Sequence, residues 1–124
     1  MKIATWNIRG FGTDTKKGVI SNIIRNENLD IIGLTETKHE DVTQWDMKKC
    51  WGNQNVEWRH VTARQQFGGL ILTWRQDVFI QSNSFAMPRW LFVVGEIQQP
   101  QIQCAICLVY APNSHQERLL VWDQ

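Results

Sequence analysis

The chain has 124 residues, 43% of them apolar and 20% charged, with 13 basic residues against 12 acidic ones. That is one domain's worth of chain, apolar enough for a packed core and too apolar for a disordered tail. No basic tail announces a nucleic acid, no run of 18 apolar residues spans a membrane, and Thr5, Asn7 and Arg9 interrupt the apolar stretch that a signal peptide needs. Three cysteines, Cys50, Cys104 and Cys107, make no disulfide framework. Their odd number suits a reducing compartment, so the expected location is nuclear or cytoplasmic.

Lys2 to Ile8 alternates as a buried strand, with Ile3, Thr5 and Asn7 on one face and Ala4, Trp6 and Ile8 on the other. Gly10 and Gly12 stop it. Asn7 then stands at the end of a core strand, where an unpaired amide costs about 1–3 kcal/mol. It either bonds its own turn or belongs to a site. Asp14 or Thr15 caps a helix running to about Asn26, and Asn28 ends it. Val19, Ile20, Ile23 and Ile24 form its apolar stripe, and Lys16, Lys17 and Arg25 read as a solvated face. Ile31 to Thr35 is a second strand of mostly branched residues, which makes a βαβ-like beginning. As parallel neighbours, the two strands would bring Asn7 and Glu36 out on the same sheet edge, where open sheets place their sites.

Asp41 to Trp51 reads as a short helix with Trp45, Met47 and Trp51 inward. Val56 to Thr62 is a strand, Arg64 to Phe67 a turn, and Gly68-Gly69 opens the strand Leu70 to Trp74. Phe79 to Met87 is a strand ending at Pro88. Leu91 to Ile97 and Ile102 to Tyr110 form a hairpin around Gln99-Pro100. Pro112 breaks the last of these, and Glu117 to Trp122 reads as the first turns of a helix with Leu119, Leu120 and Trp122 apolar. Internal repeats, low-complexity tracts and linkers are absent from the sequence.

Leu34-Thr35-Glu36-Thr37-Lys38 puts a carboxylate beside a lysine at a strand end. Mg²⁺ takes oxygen ligands, often only one or two carboxylates with water and phosphate filling the rest, and Glu36 is placed to be one. Lys38 could orient it or neutralise phosphate; the alternative is a surface ion pair worth little. Cys104 and Cys107 stand three apart in a strand, so their sulfurs point to opposite faces, and packing is their expected role. His39-Glu40-Asp41 reads as a solvated loop rather than a metal cluster. Trp58, Trp74 and Trp90 lie in or beside strands and read as core filling rather than base-stacking platforms.

Taken together, Trp6-Asn7-Ile8-Arg9-Gly10, a helix, and Ile31 to Lys38 resemble the start of the endonuclease/exonuclease/phosphatase superfamily, whose fold is that of DNase I. Gly68 to Trp74 is similar to that family's third strand signature, and Val109-Tyr110-Ala111-Pro112-Asn113 to its Tyr-x-Pro-Asn element. The four motifs run in the family's order from Met1 to Asn113. The nearest likeness is to the apurinic-type endonuclease domains of plant LINE-type retrotransposon polyproteins, which nick target DNA before reverse transcription. The resemblance implies an α+β fold, a two-sheet sandwich flanked by helices, cut to about its first half, with residues 1–124 as a partial domain. It implies Glu36 as the Mg²⁺ ligand, Lys38 orienting it from behind, and Asn7 holding the hydrogen-bond network beside it. Tyr110 would contact the scissile phosphate and Asn113 would support the same site, with Gly10 permitting the turn. Thr35 stands where the family often has Gln.

The family's Gly-Asp-Phe-Asn and Ser-Asp-His stretches, which position and activate water, do not occur in this sequence, and His39, His60 and His115 stand in other contexts. General acid–base groups contribute about 10²–10⁴ in rate, so the expectation is a chain with little activity by itself and Mg²⁺ held weakly or not at all. DNA is the expected substrate of the complete domain. The other readings are a phosphatase of the same fold acting on small or lipid phosphates, and a non-catalytic remnant that binds nucleic acid. An inner sheet face without a partner would favour self-association.

Overall fold

The computed structural model describes residues 1–39, 41–63, 68–110 and 118–123. Strands β1 (Ile3–Asn7) and β2 (Ile31–Thr35) pair in parallel, Ile3 opposite Ile31 and Asn7 opposite Thr35, with α1 (Asp14–Glu27) between them in sequence. The N-cap is Thr13, extended at φ −93° and ψ 150°, whose side chain accepts from the Lys16 N–H. The cap thus falls one residue before Asp14, which instead lies in the first turn, where its charge suits the helix dipole. Asn28 ends the helix in the left-handed region, its N–H turned back to the carbonyls of Arg25 and Ile24.

Two expectations about α1 are corrected. Val19 is 41% exposed, so the apolar stripe is narrower than it reads. Lys17 is buried, because it sits three residues before Ile20 and seven before Ile24 on the inward face. Its ammonium reaches the equally buried Asp46 carboxylate of α2 (Gln44–Trp51) at 2.8 Å.

Asp46 has a second task. It closes a capping box with Thr43, accepting from the Thr43 N–H at 2.9 Å while the Thr43 hydroxyl accepts from the Asp46 N–H at 3.3 Å. Burial alone would raise the Asp46 pKa, but the bonds and charge of Lys17 and Thr43 outweigh it and hold the carboxyl below its ordinary 3.8. Met47, Cys50 and Trp51 face inward. Trp45, expected inward, lies off that face at 64% exposure, with the Lys49 ammonium 5.0 Å from its ring centroid. Trp51 donates its indole N–H to the Thr73 hydroxyl at 3.1 Å, and that hydroxyl donates to the Glu57 carbonyl at 2.8 Å, which ties α2 to the sheet.

The first sheet has the order β1-β2-β4-β3, where β3 (Val56–Val61) and β4 (Leu70–Arg75) are antiparallel to each other and β4 is antiparallel to β2. The second is an antiparallel meander of β5 (Phe79–Met87), β6 (Trp90–Gln98), β7 (Gln101–Val109) and β8 (Arg118–Asp123). The strand β8 replaces the helix expected from Glu117 onwards. A short apolar run such as Leu119 to Trp122 fits either period, and the open edge of β7 offers backbone partners that an isolated helical turn lacks.

One core layer lies between the first sheet and the helices, around Ile8, Phe11, Ile20, Leu34, Met47 and Ile71. The other lies between the two sheets, around Leu72, Trp74, Phe79, Val93, Ile106 and Leu108. The inner faces therefore cover each other, and the expected unpartnered inner face is not found. At Gly33 the sheets come so close that a Cβ would stand 2.8 Å from Leu108 Cδ1. The uncovered apolar surface is instead the outer face of the second sheet, where Ile80, Phe85, Met87 and Trp90 are each about half exposed. Trp74 is fully buried as read, but Trp90 is 49% exposed and does not fill the core. Among the described residues no helix is long and apolar enough to cross a membrane.

Candidate active site at the ends of β1 and β2

Beyond the last paired residues, the chain stays laced across three strands. The Ile8 N–H donates to the Thr35 carbonyl at 3.1 Å, Gly10 N–H to the Glu36 carbonyl at 2.8 Å, and Phe11 N–H to the Thr37 carbonyl at 2.8 Å. On the other side, Thr37 N–H donates to the Gly69 carbonyl at 3.3 Å and Lys38 N–H to that of Gly68 at 2.5 Å. Within this lacing Arg9, Glu36 and Lys38 all adopt left-handed φ, at 50°, 52° and 51°. Such conformations cost non-glycine residues about 1–3 kcal/mol each and persist only where surrounding bonds over-determine them.

The Glu36 carboxylate is held at both oxygens. Oε1 accepts from the Tyr110 hydroxyl at 3.2 Å, a contact between groups 74 residues apart and on different sheets. Oε2 lies 3.9 Å from Nε of Arg9, whose side chain is 79% exposed. Tyr110, just past β7, is itself buried. Asn7 faces Thr35 in register, and by alternation both side chains point to the inter-sheet side, the side from which Tyr110 comes. Among the described residues, Asn7 Oδ1 and Thr35 Oγ1 are buried with no hydrogen-bond partner. Two orphaned oxygens beside a carboxylate are the kind of exception that calls for a ligand.

The structure thus brings Asn7, Glu36 and Tyr110 to one place. It does not bring Lys38 onto the carboxylate: Lys38 is exposed and, among the described residues, forms no ion pair with Glu36. Asn113 and Pro112 lie outside the described residues, as does the turn Arg64 to Phe67. Two members of the site were not read from the sequence as such. In the sequence Arg9 stands out only as part of the Trp6 to Gly10 motif, and Thr35 only as a departure from a motif. The signal for Thr35 was its alternation in step with Asn7. His39, read in a solvated loop, is half-buried with its ring edge-on to Phe11 at 5.7 Å.

Among the described residues no group of three or more His, Cys, Asp or Glu could hold a metal, so a zinc-type site is not built here. A hard cation asks for less. One carboxylate, an amide oxygen and a hydroxyl oxygen, with water and phosphate completing the shell, suit Mg²⁺. The thiols stay outside this chemistry. Cys50, Cys104 and Cys107 are all buried, burial pushes Cys50 up to about 12, and burial also raises Cys107. That fits the packing role read for the pair in β7.

A family model described as Endonuclease/Exonuclease/phosphatase family matches residues 4–124. Among solved structures, the chain is similar to the crystal structure of the Xenopus laevis APE2 catalytic domain. The TM-score is 0.59 at 17% identity, covering 92% of this chain and 46% of that one. The chain therefore spans less than half the length of that structure and shares its fold. A search of curated proteins gives no match.

Proposed function

Because the chain belongs to the endonuclease/exonuclease/phosphatase family, we propose that it forms the Mg²⁺-binding wall of a phosphodiesterase domain that nicks DNA. The observation that carries this is the Glu36 carboxylate, held by Tyr110 from the second sheet at 3.2 Å, beside the orphaned Asn7 oxygen. Glu36 is the metal ligand, Asn7 Oδ1 accepts from a water next to it, and the Thr35 hydroxyl bonds a water or phosphate oxygen there. When bound, Mg²⁺ neutralises charge that builds on the phosphate. Tyr110, whose hydroxyl donates to the carboxylate, would be the group placed to donate to a phosphate oxygen bound beside Glu36. Arg9, exposed and anchored next to Glu36, meets the anionic backbone. The family resemblance assigns Asn113 to the same function, and the exposed Lys38 adds positive charge near Glu36.

Residues 1–124 are, on this reading, one partial domain with little turnover of its own, since among the described residues no paired Asp and His stands at the site to activate water. The resemblance of the motifs to LINE-type endonuclease domains supports DNA as the substrate of the complete domain. A nuclear or cytoplasmic location goes with that substrate and with an odd number of buried cysteines. Self-association belongs to the same reading, moved from the inner sheet face to the outer face of the second sheet, where Phe85 and Trp90 are exposed.

The test is Mn²⁺ binding to the chain, followed by electron paramagnetic resonance, alongside plasmid nicking. Wild type binds Mn²⁺ and Mg²⁺ displaces it, while Glu36→Ala does neither. Mn²⁺ binding or Mg²⁺-dependent nicking that survives Glu36→Ala overturns the assignment. Release of phosphate from small or lipid esters without DNA cleavage moves the reading to a phosphatase.

A further inference from the structure

We propose that Gly68 is a positioning residue for Glu36, acting by the absence of a side chain. The inference rests on the reading of Glu36 as the metal ligand and extends it to the opposite loop. A Cβ at Gly68 would stand 3.0 Å from Glu36 Cα, 3.2 Å from its Cγ and 3.4 Å from its Cβ. The glycine is thus pressed along the whole near side of the glutamate, from backbone to side-chain stem. Its neighbour Gly69 is at φ +88°, and a Cβ there would meet Thr37 Oγ1 at 2.4 Å and Ala63 at 3.3 Å. Two adjacent positions without side chains therefore let the β4 entry lie flat on residues 36 to 38.

The contact is bonded as well as close. Gly68 and Gly69 carbonyls accept the backbone N–H groups of Lys38 and Thr37, and the Gly68 carbonyl also faces the Thr37 hydroxyl at 3.4 Å. The opposite flank of the same segment is held by Gly10 and Phe11. Glu36 is left-handed at φ 52°, a state its own side chain disfavours, so something must hold it there. The glycine loop closes one side of that clamp. A methyl group at position 68 has only backbone and the stem of Glu36 to push against. Relief means shifting the Glu36 Cα, and with it the carboxylate, toward the β1 side and off its place against the Tyr110 hydroxyl.

The experiment compares Mn²⁺ affinity of the whole chain in wild type, Gly68→Ala, Glu36→Ala and, as a control, Gly18→Ala. Gly18 is exposed on α1, and a Cβ there meets nothing within 4 Å. Loss of a group that orients a metal ligand typically weakens affinity about 10–100-fold. Gly68→Ala is expected to lose affinity in that range with its circular dichroism unchanged, Gly18→Ala to match wild type, and Glu36→Ala to lose binding. Abolished binding in Glu36→Ala with wild-type affinity in Gly68→Ala overturns the positioning role and leaves the ligand assignment standing. Unchanged binding in Glu36→Ala overturns both. Should Gly68→Ala fail to fold, amide hydrogen exchange of the wild-type chain decides. Slow exchange at Thr37 and Lys38, matching β2, supports the clamp, and exchange at unstructured-chain rates overturns it.

Discussion

The two sheets of this molecule are finished to different degrees. The first is covered on both faces, by α1 and α2 on one side and by the second sheet on the other. Its strands β2 and β4 accordingly read as almost continuously buried. The second sheet is covered on its inner face only, and β5 buries Phe79 while leaving Ile80, Phe85 and Met87 exposed. The candidate site belongs to the finished sheet, and the half-covered one reaches it through the Tyr110 hydroxyl. Rigidity at the site is thus separable from whatever covers the outer face.

The largest test of that separation is Trp74→Ala. Trp74 is fully buried between the sheets and packs edge-on against Phe79 with ring centroids 5.5 Å apart. Truncating a buried aromatic side chain costs about 3–5 kcal/mol, which in a chain of this size is a large part of total stability. Urea denaturation should show a matching fall in midpoint. A loss below about 1 kcal/mol would mean that the inter-sheet layer is not a cohesive core.

The Lys17–Asp46 pair is next. Lys17→Met leaves the Asp46 carboxylate buried without its cation and should cost about 3–5 kcal/mol, most of which returns when Asp46→Asn is added. Because the folded pKa of Asp46 is depressed below 3.8, its stabilisation is complete above that value and is lost as pH falls through the folded pKa. Thermal melts of wild type should therefore hold steady down to about pH 4 and drop below it. In Lys17→Met burial is no longer offset by the lysine, so the Asp46 pKa moves up and the acid-induced loss should shrink or reverse as the buried carboxyl takes a proton. Identical acid profiles for the two proteins would show that the pair does not hold the helices together.

Much of this was legible in the sequence, and what was not has a physical cause. The βαβ-like order placed Asn7 and Glu36 on one edge because parallel strands joined through a helix end on the same side of the sheet. Lys17 could not be told from Lys16, since a charged residue on an inward face announces itself only when its partner, 29 positions away in Asp46, is known to face it. Trp45 was misplaced because three tryptophans or methionines in one short helix can define more than one apolar face. The final strand was missed because its pairing with β7 is a non-local fact. Within the site, the role of Thr35 was invisible for the same reason. Its hydroxyl matters only beside the Asn7 oxygen, across a strand boundary.

A smaller effect is expected from Tyr110→Phe. The ring keeps its place in the inter-sheet layer, and a hydrogen bond to a charged group contributes about 1.5–3 kcal/mol at most. Glu36 is a quarter exposed, so the measured loss should fall toward about 1 kcal/mol. Mn²⁺ affinity is the sharper readout, because the hydroxyl fixes which way the carboxylate turns. A variant with full stability loss and unchanged affinity would make Tyr110 a member of the second sheet's core and nothing more.

The smallest stability effect, and the one that bears most on the uncovered face, is Phe85→Ser combined with Trp90→Ser. Both side chains are about half exposed, in strands that pair with each other, Phe85 opposite Phe92 and Met87 opposite Trp90. Surface substitutions of this kind usually stay within about 0.5 kcal/mol each. A contiguous exposed apolar face on a β-hairpin is nonetheless uncommon in a monomer, and a second copy would bury it. Sedimentation velocity over a range of concentrations should show wild type associating and the double variant remaining monomeric. Equal association of the two proteins would place the contact elsewhere, whereas a large stability loss would mean that the outer face is already packed within one chain. The first sheet should be indifferent to either change: Mn²⁺ affinity at Glu36 ought to match wild type, since neither side chain reaches the lacing around residues 36 to 38.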